Sequence, residues 1–467
     1  MRMIAQYKKH PLLTVNGNPL VEALHVYDDM DLLLNQRKQT LDVDGFWSLN
    51  DVYQQTLLQD FARIYVPAPQ FGALYNKFMA LLINNYSRAN PFSAKHSAKK
   101  YDLASVKGSV ANSEPSMPTW LSRTTASTSL IHGLSGMGKT TEILAVLSCI
   151  PQVIEHKKYN GRYYRQDQLV WLSIDLPATP SIKALALNFF QAVDKALGNT
   201  DYHGEWSKKN NSSVDKHLNG VRQVASLHEL GLIHIDELQF MLKYAKSKDS
   251  PTLQVLEALF NKLGIPIVLS CTNQGLELFE MPASRNDVLV DMTMTRRMLN
   301  DRGFKFDLHK ENSRHFDDLF QVFFPDGLQW PGTELGDDFK SKYYELSCGL
   351  PAVMSRLAHL YHETHMQLRA RSTKELPDPV QLLEHVYKHQ FKLIDPALQQ
   401  LRRNNIKQYE ALYKKENLNG RPVSSSEKGA VTKKVEKKDP IVKKGGMFDA
   451  HKVAATSTER EIKRGFF

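Results

Sequence analysis

A run of eight residues in the first third of the chain has the residue types and spacing needed to bind a nucleoside triphosphate. This cradle loop, Gly133-Leu134-Ser135-Gly136-Met137-Gly138-Lys139-Thr140, fits the pattern G-x-x-x-x-G-K-[ST]. Its glycines let backbone N–H groups face the phosphates closely. Lys139 is expected to reach the β- and γ-phosphates, and Thr140 to offer its hydroxyl to Mg2+. With Thr141 beside it, the loop predicts a binding site for ATP and Mg2+.

Two carboxylates at the end of another apolar run supply the second half of the predicted chemistry. Asp236 and Glu237 follow the apolar residues 231–235. Open parallel sheets bind their ligands at the carboxyl ends of the strands, which is where this pair would lie. Asp236 is predicted to hold Mg2+, and Glu237 to polarise the water that attacks the γ-phosphate. A solvated acidic turn is the plainer alternative.

Four further side chains are candidates for sensing or stabilising the γ-phosphate. Asn273, preferred over the adjacent Thr272, ends the next apolar run and could hydrogen-bond the attacking water. Arg296 and Arg297 could reach the nucleotide of a neighbouring subunit, and Arg356 could report the γ-phosphate to a helical lid. A loop polar group, a surface ion pair and an exposed helix arginine are the corresponding alternatives.

Alternating apolar strands and helices must position these residues. A helix over 140–150 would direct its positive dipole end at the phosphates, and Ser181 would cap a second helix over 181–197. A third helix is predicted over 251–263. Near-continuous apolar strands separated by helices indicate an α/β fold, a parallel sheet with helices on both faces. The predicted strands cover residues 129–132, 168–175, 231–237 and 264–273.

The rest of the chain divides into segments of different composition. Residues 1–122 are expected to form a mostly helical, partner-binding extension, with a helix over Ala73–Tyr86, a turn at 87–91 and a loop from 92 to 122. Residues 123–299 form the predicted nucleotide-binding core. Strands are expected to stop at about residue 300, with a helical lid and C-terminal helices over 300–413. Residues 414–467 are expected to form a basic disordered tail.

Composition limits the possible environment and partners. The chain has 467 residues, a hydrophobic content of 42% and a formal net charge of +10. Residues 414–467 contain 14 Lys and Arg against 7 Asp and Glu, so the tail carries +7 of that charge. The three cysteines are isolated, which favours neither disulfides nor a metal site. No apolar run is long enough to span a bilayer, and we expect a cytoplasmic protein with no membrane partner.

The order of these motifs resembles that of the AAA+ ATPases, with a P-loop core, a helical lid and an N-terminal helical extension. Within that class the chain resembles the TnsC/TniB family, ATP-dependent regulators of DNA transposition in TnsABC-type transposons. The resemblance covers roughly residues 60–365. It is carried by Tyr65-Val66-Pro67-Ala68-Pro69-Gln70-Phe71, Arg88-Ala89-Asn90-Pro91, Gln168–Pro177, Leu232–Gln239 and Gly349-Leu350-Pro351-Ala352.

The resemblance implies an ATPase that assembles as a ring or helical filament on double-stranded DNA without sequence preference. It further implies two protein partners, the transposase subunits and a target-selection protein of the TniQ/TnsD type. Candidate DNA contacts lie in the helix after Pro177 and the loop beyond it. They are Lys183, Lys208, Lys209 and Lys216, for which solvated surface lysines are the alternative.

Two other functions share parts of this pattern. An origin-recognition or helicase-loading AAA+ ATPase would carry the same nucleotide motifs. A P-loop signalling scaffold would bind nucleotide without DNA. The tail could act as a basic arm on DNA or as a docking segment for a transposase, and its sparse apolar residues favour docking.

Overall fold

A five-stranded parallel sheet forms the centre of the protein. The computed structural model describes residues 2–105, 128–177, 181–209, 211–241, 264–276, 303–329, 334–371 and 377–418. In chain order the strands are β1 Arg2–Ile4, β2 Thr128–Gly133, β3 Val153–Tyr159, β4 Arg162–Leu169, β5 Trp171–Asp175, β6 Leu232–Asp236, β7 Ile267–Cys271 and β8 Gly303–Phe306.

The α-helices of the described segments fall before, within and after the sheet. Before and within it lie α1 Pro19–Glu22, α2 Met30–Arg37, α3 Asp51–Gln59, α4 Phe71–Ser87, α5 Ala94–Ser105, α6 Lys139–Ser148, α7 Ile182–Leu197, α8 Tyr202–Ser207 and α9 Val214–Leu227. After it lie α10 Arg314–Phe323, α11 Asp337–Ser347, α12 Pro351–Arg371, α13 Pro379–Gln390, α14 Asp395–Arg402 and α15 Ile406–Leu418.

The strand order of the central sheet is β5-β6-β7-β2-β8, and all neighbouring pairs are parallel. Asp175 is in register with Asp236, and His132 with Cys271. All carboxyl ends therefore meet at one edge, which brings the end of β2 close to the end of β6. The predicted α/β fold with a parallel sheet is confirmed.

Helices cover both faces of this sheet, as predicted. Adjacent β2 residues enter different cores, since Ile131 belongs to the core that includes Ile143 of α6, and Leu130 to the core that includes Phe189 of α7. Every residue of β6 and β7 is buried. Helix α7 carries a strong apolar face and begins at Ser181, whose hydroxyl accepts the Ala184 N–H. The predicted N-cap is therefore confirmed.

The segment before the sheet is mostly helical. The predicted helix over Ala73–Tyr86 is confirmed as α4, which ends at Ser87. The predicted loop from 92 to 122 is wrong for its described part, because α5 spans Ala94–Ser105. Glu229 holds this helix against the core through His96 Nε2 at 2.8 Å and Lys100 Nζ at 2.5 Å.

An antiparallel hairpin precedes β5 and was not predicted. The predicted strand over 168–175 is wrong in its first part, because Leu169 ends β4 and a new strand begins at Trp171. Strands β3 and β4 pair antiparallel, and β1 adds to β3 in parallel. The three strands form a separate sheet, and its β3–β4 hairpin lies between α6 and β5 along the chain.

The expectation that strands stop at about residue 300 is also wrong. Strand β8 pairs with β2 as an edge of the central sheet, with Leu130 in register with Gly303. The segment then continues as helices packed around an aromatic cluster that includes Phe324, Tyr343 and Tyr361. No helix in the described segments is both long and apolar enough to cross a membrane. The predicted disordered tail over 414–467 is wrong for its first residues, because α15 continues to Leu418. The predicted helix over 251–263 and residues 419–467 of the tail lie outside the described residues.

Candidate nucleotide-binding site

The cradle loop connects β2 to α6 and depends on its glycines. Gly133 and Gly138 have φ angles of 156° and 77°. A Cβ on Gly133 would lie 2.5 Å from the carbonyl oxygen of Phe306 on β8, so only glycine permits this approach. Gly138 is the N-cap of α6 in a left-handed conformation. The first turn of α6 therefore begins at Lys139, within the predicted motif.

Lys139 lies inside the loop that it terminates. Its Nζ donates to the carbonyl oxygens of Gly133 at 3.0 Å and Leu134 at 2.8 Å. The side chain is buried, and this burial lowers the pKa of its ammonium group. The ammonium group is thus held at the loop, at the cavity it lines.

Thr140 and Asp236 meet across the site. Thr140 Oγ1 donates to Asp236 Oδ2 at 2.5 Å. Burial raises the pKa of Asp236, but the neighbouring His234 and hydrogen bonds from Ser270, Thr140 and the Glu237 N–H outweigh it, so the pKa is below its ordinary value. Asp236 is therefore an ionised carboxylate beside a hydroxyl, and both are hard oxygen donors of the kind Mg2+ prefers.

A chain of buried hydrogen bonds leads to the other oxygen of Asp236. Ser270 Oγ donates to Asp236 Oδ1 at 2.5 Å, and His234 Nε2 lies 2.7 Å from Ser270 Oγ. Because the Ser270 proton is used on the carboxylate, His234 Nε2–H is the donor to Ser270. Its Nδ1 then accepts from Ser173 Oγ at 2.9 Å. Burial lowers the pKa of His234 to about 4, in keeping with a neutral ring.

Glu237 projects into the same cavity from a left-handed backbone conformation, with φ 59°. Its N–H donates to Asp236 Oδ1 at 2.7 Å, and its carboxylate accepts from Gln239 Nε2. Gln239 Oε1 in turn accepts the Thr272 N–H at 3.1 Å. Burial, followed by the charge of Asp236, raises the pKa of Glu237. Glu237 is therefore a stronger base than an exposed glutamate, and Gln239 fixes its position.

Lys139, Thr140, Asp236 and Glu237 all line one cavity. Thr272 Oγ1 is buried there without a hydrogen-bond partner among the described residues, so the cavity offers an unused polar group to a ligand. In the described ranges no cluster of three His, Cys, Asp or Glu could hold a metal alone. The donor set therefore fits Mg2+ bound by one hydroxyl and one carboxylate together with phosphates and water. The lining residues are Ser135, Gly136, Gly138, Lys139, Thr140, Thr141, Asp236, Glu237, Gln239, Cys271 and Thr272.

Several predicted site residues lie elsewhere. Asn273, the preferred polar group, does not line the cavity: its Oδ1 lies 3.4 Å from His132 Nδ1, and Thr272 takes the place predicted for it. Arg356 lies on α12 with an exposed side chain and does not line the cavity. Arg296 and Arg297 lie outside the described residues.

The four predicted DNA-contact lysines share one region but not one environment. Lys183 lies in the first turn of α7 and is partly buried, whereas Lys208, Lys209 and Lys216 are exposed. Lys209 lies over the Trp206 ring, with Nζ 4.8 Å from the ring centroid. Three of the four are therefore accessible to a phosphate backbone.

The N-terminal segment attaches directly to the helix of the cradle loop. Glu142 of α6 accepts from Tyr65 Oη at 2.8 Å and from the Ala68 N–H at 3.0 Å. Burial raises the pKa of Glu142 to about 7. The stretch 65–71, quoted above for its family resemblance, is thus fastened to α6 one turn after Lys139.

The start of α12 also contacts the cradle loop. The Ala352 N–H at the start of α12 donates to the Gly136 carbonyl oxygen at 3.1 Å. Leu350 packs in the same place, within 3.6 Å of where a Cβ on Gly136 would lie. The loop therefore touches the sheet, α6 and α12 at once.

Three residues of the site were missed by sequence reasoning: His234, Ser270 and Gln239. His234 and Ser270 are polar residues inside otherwise apolar strands, and that interruption was a readable signal. Gln239 carried no signal of its own beyond lying two residues after Glu237. Buried polar groups of this kind act through neighbours, which only a structure reveals.

Comparisons with known proteins agree with the location of the site. Residues 122–279 match the family model described as "AAA domain". That range holds the cradle loop, Asp236, Glu237 and strands β5–β7, so the chain contains an AAA domain, the nucleotide-binding module of AAA+ ATPases. No curated protein matches the sequence.

Solved structures give more distant likenesses. A Walker-type ATPase of Pyrococcus abyssi is 12% identical, with 68% of this chain and 78% of that chain covered and a TM-score of 0.34. A chain of Drosophila ORC bound to DNA is 9% identical, with 65% and 76% covered and a TM-score of 0.31. Hsp104 of S. cerevisiae in a casein complex is 13% identical, with 63% and 40% covered and a TM-score of 0.27.

Proposed function

We propose that this protein binds ATP with Mg2+ in the cavity of the cradle loop and hydrolyses it. The observation that carries the proposal is the meeting of Thr140 and Asp236 at 2.5 Å, directly beside Lys139 and Glu237. These are the two halves of a triphosphate site brought together from positions 96 residues apart. A Gly-rich turn or a solvated acidic turn would not bury these groups against each other.

In the proposed reaction each side chain has one task. Thr140 and Asp236 would hold the metal ion, which when bound neutralises phosphate charge. Lys139 would release the loop carbonyls and bind phosphate oxygens. Glu237, positioned by Gln239, would accept a proton from the attacking water. Thr272 Oγ1 offers an unpaired hydroxyl to the water or the γ-phosphate.

We further propose that ATP binding drives assembly on double-stranded DNA and that hydrolysis ends it, in a regulator of transposition of the TnsC/TniB type. Support comes from the family-like stretches, of which 65–71 contacts α6 through Glu142. The exposed Lys208, Lys209 and Lys216 would contact phosphates without sequence preference. The homo-oligomer would then link a target-selection protein to the transposase.

Two variants test this function. Glu237→Gln removes the base but keeps the shape, so it should assemble on DNA with ATP and persist there, while ATP turnover falls at least about 100-fold. Lys139→Ala should lose ATP-dependent assembly. Turnover is measured by phosphate release, and assembly by electron microscopy with duplex DNA. Normal turnover in Glu237→Gln would show that another residue is the base.

The same measurements separate the alternatives. Nucleotide-dependent filaments on duplex DNA of any sequence support the transposition regulator. Loading of a helicase onto DNA would instead favour an origin-type AAA+ protein. Absence of DNA retention with every nucleotide would leave a signalling scaffold.

A further inference from the structure

The hairpin of β3 and β4 carries an outward cationic surface that the proposed ATP chemistry does not use. Four cations, Lys157, Lys158, Arg162 and Arg165, lie within nine consecutive residues that contain no carboxylate. All four are exposed, as is Tyr163 among them, whose exposed fraction is 75%. We call these five residues the basic hairpin surface.

Strand register places part of this set near the turn. Lys158 is directly opposite Tyr163, and Glu155 is directly opposite Asp167. The register shifts between these two pairs, so the pairing places Lys158 with Tyr163 near the turn and Glu155 with Asp167 at the base. The cations therefore lie toward the turn, and the two carboxylates lie at the base of the hairpin.

The carboxylates at the base are already neutralised. Arg2 of β1 lies 2.8 Å from Asp167 Oδ1 and 3.6 Å from Glu155 Oε2. Lys157 also approaches Glu155, at 3.4 Å. By contrast, no carboxylate of the described residues forms an ion pair with Lys158, Arg162 or Arg165. These three charges are left for a partner.

The opposite face of the hairpin is firmly anchored. His156 is buried, with Nε2 donating to Gln168 Oε1 and Nδ1 accepting from Tyr7 Oη, each at 2.8 Å. Tyr159 packs edge-on against Tyr7, at 4.9 Å between ring centroids. The exposed cations thus project from a fixed support, which lowers the entropy cost of binding.

The hairpin and the cradle loop also lie at opposite edges of the central sheet. Helix α6 starts at the carboxyl edge of the sheet and runs back, so β3 begins at the amino edge. Strand β4 returns to that edge, where β5 starts at Trp171. The hairpin therefore begins and ends at the edge opposite the ATP cavity. Substitutions on the basic hairpin surface should not alter Lys139, Asp236 or Glu237.

We propose that the basic hairpin surface binds the phosphodiester backbone of nucleic acid, as a contact separate from the lysines of α7–α9. Unpaired cations supply phosphate contacts, and an exposed tyrosine between them can stack on a base or sugar. This inference rests on the proposed DNA-binding function and adds a second contact to it.

The test uses the full chain and the paired variant Lys158→Ala/Arg165→Ala. Binding to a labelled duplex is measured by fluorescence anisotropy over a range of NaCl concentrations. Each lost phosphate contact removes about 0.9 from the slope of log K against log salt, so the slope should fall by about 2. A control pair, Lys392→Ala/Arg403→Ala, removes the same charge from exposed sites just after α13 and α14 and should leave the slope unchanged.

Two further arms identify the ligand. If the Tyr163 ring stacks on bases, Tyr163→Ala should weaken binding to a single strand more than binding to a duplex. If the surface contacts the backbone alone, Tyr163→Ala should weaken the two kinds of binding equally. Either result supports the inference when the paired variant also loses slope, because both describe a contact with nucleic acid. Competition by polyglutamate without any slope change in the paired variant would overturn the inference in favour of an acidic protein.

The outcomes separate this inference from the proposed function. If the wild-type chain binds no nucleic acid with any nucleotide, the proposed assembly on DNA fails, and the hairpin inference fails with it. If the wild type binds and the paired variant keeps its salt slope, only the hairpin inference fails. Retained nucleotide binding in the variant establishes that it is folded.

Discussion

Replacing Ser270 with alanine would test whether the buried hydrogen-bond chain holds Asp236 in place. Ser270 Oγ is fully buried, accepts from His234 Nε2 and donates to Asp236 Oδ1. The variant loses a hydrogen bond to a charged group, about 1.5–3 kcal/mol, and leaves a buried N–H unpaired. We expect the free energy of unfolding to fall by about 3 kcal/mol.

Ser270→Ala is expected to weaken the part of nucleotide binding that depends on Mg2+. Asp236 keeps the Glu237 N–H on Oδ1 but loses the Ser270 hydroxyl, so its orientation loosens. Loss of such a supporting bond costs about 10–100-fold in metal affinity. Nucleotide affinity measured by isothermal titration with Mg2+ should therefore fall by about 10-fold or more, whereas affinity measured with EDTA should change little.

A matched control is Ser347→Ala, which removes a buried hydroxyl that donates to the Tyr344 carbonyl oxygen within α11. It has no contact with Asp236 or its hydrogen-bond partners and should leave Mg2+ dependence unchanged. Wild-type Mg2+ dependence in Ser270→Ala would refute the positioning role. An equal loss with and without Mg2+ would refute it too, since general destabilisation would then explain the effect.

Three other predictions concern the surroundings of the cradle loop. Glu142 has a pKa raised by burial to about 7, so its contribution to stability is present below its unfolded value and is lost as pH rises through about 7. Denaturant titrations between about pH 5 and about pH 8 should show that the free energy of unfolding falls by about 2–3 kcal/mol, and this fall should be absent in Glu142→Gln. Identical pH profiles for the two proteins would contradict this prediction. Gly133→Ala should cost about 3 kcal/mol or more, because its Cβ would meet Phe306, whereas Gly138→Ala, with open space around it, should cost about 1 kcal/mol. Thr272→Val keeps the shape but removes the unpaired hydroxyl, so phosphate release should slow with little change in ATP affinity, and an unaltered rate would exclude a role for that hydroxyl.

The chemistry of the site was largely predictable because it depends on residue types at fixed spacing. Three glycines, Lys139 and Thr140 form a local pattern, and Asp236 with Glu237 ends an apolar strand. The choice between Thr272 and Asn273 was not predictable. Both follow β7, and only the local backbone decides which side chain enters the cavity.

The parts of the fold that were missed depend on contacts distant in sequence. Strand β8 has four residues, and it is a strand because it pairs with β2 more than 160 positions earlier. Strand β4 is mostly polar, but its last residues, Gln168 and Leu169, are separated from β5 only by Val170, so residues 168–175 read as one strand. Turn residues Asn160 and Gly161, both at positive φ, were the available hairpin signal.

The hydrogen bond between Ala352 and Gly136 would convert a small motion of the cradle loop into a larger one. Helix α12 begins at this bond and has 21 residues, which makes it a lever about 30 Å long. A tilt of about 5° at its first turn would displace its far end by about 3 Å. A small rearrangement of the cradle loop around bound phosphates would therefore displace the far end of α12. A neighbouring molecule that contacts this end could respond to the displacement.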